Sequence, residues 1–134
     1  MFAVENVWIR PAQETDLDQL AHLSRALWPD CSAQEHAQEL RLKLGGKPDS
    51  IPTKPLTIFV AERSDRILVG FLEVGLRSHA DGCNPLRPVG YLEGWYVADE
   101  HRHRGIGKEL VANAEDWATR SRVLRDGFRC DHRQ

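Results

Sequence analysis

The fold turns on Tyr91-Leu92-Glu93-Gly94-Trp95-Tyr96-Val97 and, a short polar segment later, Arg102-His103-Arg104-Gly105-Ile106-Gly107. The first run is mostly aromatic and aliphatic and reads as the end of a strand spanning Val89 to Val97. From Gly105 onward, Ile106, Leu110, Val111, Ala114 and Trp117 fall on one face at helical spacing. The Arg/Gly segment therefore lies between a strand and a helix, where glycine lets the backbone pass close to a ligand and successive amides point outward. The helix start adds partial positive charge to amides that have no partner inside the helix. A pyrophosphate fits such a cradle, with Arg102 and Arg104 placed to add charge-assisted bonds. A Gly-x-Gly alone fits a ligand-free helix start equally well, so the rest of the chain has to decide.

Working outward, Val7-Trp8-Ile9-Arg10 is a short β-prone run stopped by Pro11. Thr15 and Asp18 suggest a capping box, after which Leu17, Leu20, Ala21, Leu27 and Trp28 recur at helical spacing up to Pro29. Ser32 and Glu35 repeat the cap signature ahead of a second helix with Ala33, Ala37, Leu40 and Leu44 on its apolar stripe, ended by Gly45-Gly46. The proline-rich segment Lys47 to Pro55 is a loop, and Leu56 to Ala61 and Ile67 to Leu76 are strands joined at Arg63-Ser64-Asp65-Arg66. Ser78 to Pro88 is a further loop. The resulting order is β, α, α, β, β, β, α.

The 134 residues fit one domain, 41% hydrophobic and 28% charged, with 18 Lys and Arg against 20 Asp and Glu. That balance speaks against nucleic acid as a partner and is compatible with a polycationic small substrate. No apolar run is long enough to span a membrane, and Met1 to Arg10 lacks the order of a signal peptide, so a cytoplasmic protein is expected. Cys31, Cys83 and Cys130 are scattered and read as reduced thiols. His101 and His103 lack a third ligand at useful spacing, so no metal is expected.

With Tyr91 to Val97 followed by Arg102-x-x-Gly105-x-Gly107, the chain resembles the fourth strand and pyrophosphate loop of the GNAT acetyltransferases. Ala26-Leu27-Trp28-Pro29, Gly70-Phe71-Leu72-Glu73, Asp81-Gly82-Cys83 and Tyr91-Leu92-Glu93-Gly94 are similar, more narrowly, to the aminoglycoside 6'-N-acetyltransferases. The resemblance covers about residues 7–118 of a single domain over 1–134, with a divergent tail at 119–134. It implies an α/β fold of the acyl-CoA N-acyltransferase type, with a mixed central sheet flanked by helices. It also implies transfer of acetyl from acetyl-CoA to the 6'-amine of an aminoglycoside. The acceptor could instead be another amine, or the chain could bind acetyl-CoA without turnover.

Glu93 lies in an otherwise apolar strand, where a buried carboxylate is costly without a cationic partner or a task. It is the candidate acid/base, able to hold the acceptor's ammonium and take its proton; the alternative is an edge-strand glutamate facing solvent. By resemblance, Glu73 and Trp28 join Glu93 in binding the drug, although Glu73 also fits a solvated strand face and Trp28 a helix core. His79 stands where relatives usually carry tyrosine. The family's pantetheine arm pairs with main-chain groups that correspond here to Trp95, Tyr96 and Val97, and the pyrophosphate loop corresponds to Arg102, His103, Arg104, Gly105, Ile106, Gly107 and Lys108.

A complete GNAT domain continues beyond the third helix into a fifth strand, a fourth helix and a further strand, and residues 118–134 are too few for these. With one permitted choice of codons, Val123 to Asp131 reads in a frame shifted by a base as Cys-Ser-Gly-Met-Ala-Ser-Asp-Ala, which resembles the family's fifth strand and its Ser-Asp segment. The expectation is a domain whose reading frame slips between Trp117 and Val123, leaving strand four as an exposed edge open to homodimerisation.

Overall fold

The computed structural model describes residues 6–45, 56–77 and 89–120. Strand β1 (Val7–Pro11) leads through a single 3-10 turn, Glu14–Asp16, into helix α1 (Leu17–Leu27), followed by α2 (Ala33–Gly45). Strands β2 (Leu56–Arg63), β3 (Leu68–Arg77) and β4 (Val89–Val97) follow, and then, past a second 3-10 turn, helix α3 (Ile106–Arg120). The expected element order holds. The loops read at Lys47 to Pro55 and Ser78 to Pro88 lie outside the described residues, as do His79, Cys83, Cys130 and the tail from 121.

The four strands lie in the order β1-β2-β3-β4, and every pairing is antiparallel. The sheet was expected to be mixed, and among the described residues it is not. A parallel partner requires a crossover connection. The helical hairpin α1–α2 instead returns the chain antiparallel beside β1, and β2 and β3 are joined by a tight turn. In that turn Arg63 N–H donates to Ile67 O at 2.8 Å, and Arg66 takes the left-handed conformation at φ 73°.

Strands β2 and β3 are buried on both faces, which explains their near-continuous apolar sequence. Val7, Ile9, Phe59, Ala61, Val69, Leu72 and Val74 pack under Ile106, Leu110 and Ala114 of α3. On the opposite face Ile58, Val60, Leu68 and Phe71 meet Leu20 and Ala21 of α1 and Leu40 of α2. The sheet is thus clamped between α3 and the α1–α2 hairpin, each presenting one apolar stripe.

Two cap readings fare differently. At α2 the reciprocal box forms as expected, with Ser32 N–H donating to Glu35 Oε1 at 2.8 Å and Glu35 N–H to Ser32 Oγ at 3.1 Å. Ahead of α1, the carboxylate that reaches back is Asp16 rather than Asp18, accepting from Gln13 N–H at 2.7 Å. The intervening 3-10 turn moves the start, and Asp16 is fixed there by two bonds from Arg10, at 2.8 and 2.9 Å. Arg10 Nε also donates to Glu62 at 2.9 Å, so one guanidinium ties β1 to β2 and to the entrance of α1.

Candidate active site

Strand β4 is irregular at the residue singled out for chemistry. Glu73 pairs with Gly94 and Val74 with Leu92, so Glu93 is the extra residue at a shift of register in β4. Such a bulge bends the strand and re-aims the side chain it carries. It also keeps Leu92 on the α3 side, against the core there, while Gly94 remains across from Glu73 on the α1–α2 side.

On that second side, Trp28 lies over Gly94 so closely that a Cβ on the glycine would come within 2.4 Å of Trp28 Cη2. Trp28 does not sit on the helical stripe as expected. It caps the C-terminus of α1, its N–H bonded to Ser24 O at 2.7 Å, and remains 38% exposed. Its indole stands between the rings of His36 and Phe71, with centroids 6.0 and 6.2 Å away. The buried His36 holds the Trp28 carbonyl through Nε2 at 3.0 Å.

Glu73 is buried, not solvated, and its Oε2 lies 2.7 Å from Lys43 Nζ on α2. Lys43 Nζ is also 3.5 Å from Glu39 Oε2, one turn earlier on the same helix. Burial pushes the Glu73 carboxyl up; the Lys43 bond and charge draw it back only in part, and the fields of Glu93 and Glu39 push the same way as burial. For Lys43, burial disfavours the ammonium, but Glu73 and Glu39 more than offset this and hold its pKa above the ordinary lysine value. Glu93 thus shares a region of negative potential with Glu73, a setting that attracts cations.

Where β4 ends and α3 begins, a cleft of about 290 Å³ is lined by Leu27, Trp95, Tyr96, Val97, His101, Arg102, His103, Ile106 and Gly107. Most of the positions read as cofactor-binding meet here. His103 and Gly105 both have positive φ, 64° and 87°, in the loop that leads into α3, whose first amides have no acceptor inside the helix. No atom would contact a Cβ at Gly105 within 4 Å, whereas one at Gly107 would meet Trp95 Cζ2 at 3.2 Å. The side chain of Ile106 is core, 1% exposed, so only its backbone is available to a ligand. Arg104 and Lys108 are exposed and do not line the cleft. Arg102 is turned to the strand: its Nε donates to Val97 O at 2.6 Å, its guanidinium meets Asp99 at 2.8 Å, and it lies over the Tyr96 ring. His101 Nδ1 is buried beside the cleft with no hydrogen-bond partner among the described residues.

His36 and Lys43 were not singled out from the sequence, where Leu27 was read as a helix-stripe residue and His101 was weighed only as a metal ligand. The only signal for Lys43 was its place in the last turn of α2, and its partner lies thirty residues on. Among the described residues no group of three or more His, Cys, Asp or Glu is placed to hold a metal ion, and no helix is long and apolar enough to cross a membrane.

A four-stranded antiparallel sheet between one helix and a helical hairpin, with a bulged fourth strand and a cleft at the strand-to-helix junction, is the architecture that the comparisons identify as that of an acetyltransferase. The acetyltransferase (GNAT) family matches residues 17–126. Aminoglycoside N(6')-acetyltransferase type 1 of Klebsiella aerogenes is 36% identical over 110 residues, covering 82% of this chain and 69% of that relative. The enzyme of the same name from Serratia marcescens is 35% identical, covering 77% of this chain and 66% of its own length. Among solved structures, AAC(6')-Ih from Acinetobacter baumannii superposes with a TM-score of 0.73 at 28% identity, covering 88% of this chain and 75% of that one. AAC(6')-Iy in complex with the bisubstrate analogue CoA-S-monomethyl-acetylneamine gives 0.72 at 28% identity, covering 86% and 73%. The chain belongs to the GNAT acetyltransferases and, within them, to the aminoglycoside N(6')-acetyltransferase family.

Proposed function

We propose that this chain transfers the acetyl group of acetyl-CoA to the 6'-amine of an aminoglycoside, with Glu93 as the acid/base. The observation that carries the reading is the bulge: Glu93 is the extra residue of β4, next to Gly94, which pairs with the buried Glu73, and two residues before Trp95, the first β4 residue lining the cleft. Acetyl-CoA supplies the activated acyl group as a thioester. The loop residues fit its pyrophosphate, since the positive φ angles of His103 and Gly105 and the unencumbered space at Gly105 leave the amides of Ile106, Gly107 and Lys108 open to an anion. Trp95, Tyr96 and Val97 offer the pantetheine arm main-chain partners and the thioester carbonyl a polarising N–H.

On the acceptor side, Glu73, Glu93 and the Trp28 ring form an acidic, aromatic-walled face suited to a sugar bearing several ammonium groups. Glu93 takes the proton of the acceptor ammonium, directly or through water, which frees the nitrogen lone pair. The new N–C bond forms as the C–S bond breaks, and the thiol of CoA leaves. The reading places the enzyme in the cytoplasm, where acetyl-CoA is made and used. Among the described residues β4 pairs only with β3, leaving its other edge for acetyl-CoA or for a second copy of the chain as a homodimer. Sedimentation with and without acetyl-CoA separates these two uses.

Calorimetry of acetyl-CoA binding together with thiol release in the presence of kanamycin or tobramycin tests the function. Drug-dependent release is the expected result. Release with other amines only would reassign the acceptor, and binding without any release would make this an acetyl-CoA-binding domain.

A further inference from the structure

Resting on that reading, one residue of the acceptor face has a role of its own. Lys43 brings an ammonium to within 2.7 Å of Glu73, on the side of the sheet where Trp28 covers Gly94. Glu73 is 6% exposed, and the ammonium bound to its Oε2 is that of Lys43. A buried carboxylate needs a cation, and this chain supplies one from α2.

The arrangement is not a closed one. Lys43 ends a flexible stem, and Glu39, four residues earlier, is exposed and already 3.5 Å from the same Nζ. A rotation of the lysine stem moves the ammonium from Glu73 to Glu39 without breaking the helix or stranding the charge. Glu93 adjoins Gly94, the residue paired with Glu73 across the ladder, so an acceptor with one ammonium at Glu93 can place another toward Glu73. An acceptor with a single amine cannot make both contacts.

We propose that Lys43 is a resident ammonium occupying the second cation subsite of the acceptor face, and that it yields Glu73 to a polyamine substrate by swinging to Glu39. It is a specificity-determining residue acting through Glu73. Its charge makes Glu73 unavailable except to a ligand that exchanges one ammonium for another, which sets the affinity for polycations apart from that for monoamines.

Calorimetry of kanamycin and of a 6-amino-6-deoxyglucoside with a single amine, on the full chain and on Lys43→Met, Lys43→Arg and Glu39→Gln, tests this. Lys43→Met is expected to tighten kanamycin binding roughly tenfold, about what one charge-assisted hydrogen bond is worth, while the monoamine changes less than about twofold. Glu39→Gln is expected to weaken kanamycin binding about threefold by removing the alternative berth, with an unchanged melting temperature because an exposed pair contributes little. A merely structural lysine predicts otherwise: kanamycin affinity unchanged or weaker for Lys43→Met, whose melting temperature falls on either reading because Glu73 loses its cation, and no effect of Glu39→Gln. If Lys43→Met does not fold, Lys43→Arg and Glu39→Gln decide, since a bidentate guanidinium should hold Glu73 harder and weaken kanamycin binding. Equal affinities across these variants would overturn this inference alone. Failure of every variant to bind kanamycin, in samples that bind acetyl-CoA, would overturn the aminoglycoside reading and this inference together.

Discussion

Trp28 and Gly94 are matched in shape: the indole occupies the volume that any side chain at position 94 would need. The contact links the end of α1 to β4 one residue past the bulge, and His36 secures it from behind by holding the Trp28 carbonyl. Gly94→Ala should therefore expel the indole rather than merely crowd it. We expect a loss of about 1–3 kcal/mol in stability, the usual range for overpacking, a shift in tryptophan emission and weaker aminoglycoside binding. Urea unfolding and drug titration followed by fluorescence check all three.

Glu93→Gln keeps the size of the side chain and removes its basicity. Thiol release should fall roughly 10²–10⁴-fold, the range for loss of a general base, while acetyl-CoA affinity stays as it was because the pyrophosphate loop is untouched. An unchanged turnover would move the proton acceptor elsewhere.

Gly105→Ala and Gly107→Ala separate backbone conformation from space in the loop. At Gly105 an added methyl meets nothing, but φ is 87°, so the cost is conformational, about 1–2 kcal/mol, and acetyl-CoA binding should weaken as the loop shifts. At Gly107 the methyl presses on Trp95, so the signature should be a change in tryptophan fluorescence with a smaller effect on stability. Calorimetry and emission spectra on the two variants distinguish the two causes.

The Asp16 cluster sets part of the acid limit of the fold. Burial opposes the Asp16 charge, but the Arg10 bonds, the Gln13 amide and the Arg10 field outweigh it and hold its pKa below the ordinary 3.8. The stabilisation is therefore complete above about pH 4 and is lost as pH falls through the lower, folded-state value. Asp16→Asn should cost roughly 1.5–3 kcal/mol at neutral pH and flatten the decline of stability as pH falls below about 4. Urea midpoints measured across that interval would show it.

The strands and helices were legible because their apolar periods are strong: Ile58 to Ala61 and Val69 to Leu72 are buried on both faces, and Ile106, Leu110 and Ala114 recur at helical spacing. The loop from Arg102 to Gly107 was legible as a strand-to-helix connection because its residues are contiguous. What could not be read depends on pairs distant in the chain. The bulge at Glu93 exists only relative to the register of β3, and the burial of Glu73 depends on Lys43 arriving from another element. Trp28 matched the helical period, but its last turn had already ended, so the ring lies on the sheet instead of in the helix stripe. The start of α1 was misplaced because an intervening 3-10 turn changes which carboxylate reaches back.

The extra residue in β4 also has a consequence for how the strand could be simplified. Val74 faces Leu92 and Glu73 faces Gly94 on either side of it, so excising position 93 would leave an uninterrupted ladder in which every remaining side chain keeps its face. Straightening the strand while retaining the glutamate would instead turn Leu92 out of the α3 core. The one-residue deletion is thus the change that the backbone accommodates most readily, and it removes the carboxylate altogether. The expected product is a shorter chain with a more regular sheet that, if Glu93 is the acid/base, folds and binds acetyl-CoA but releases little thiol.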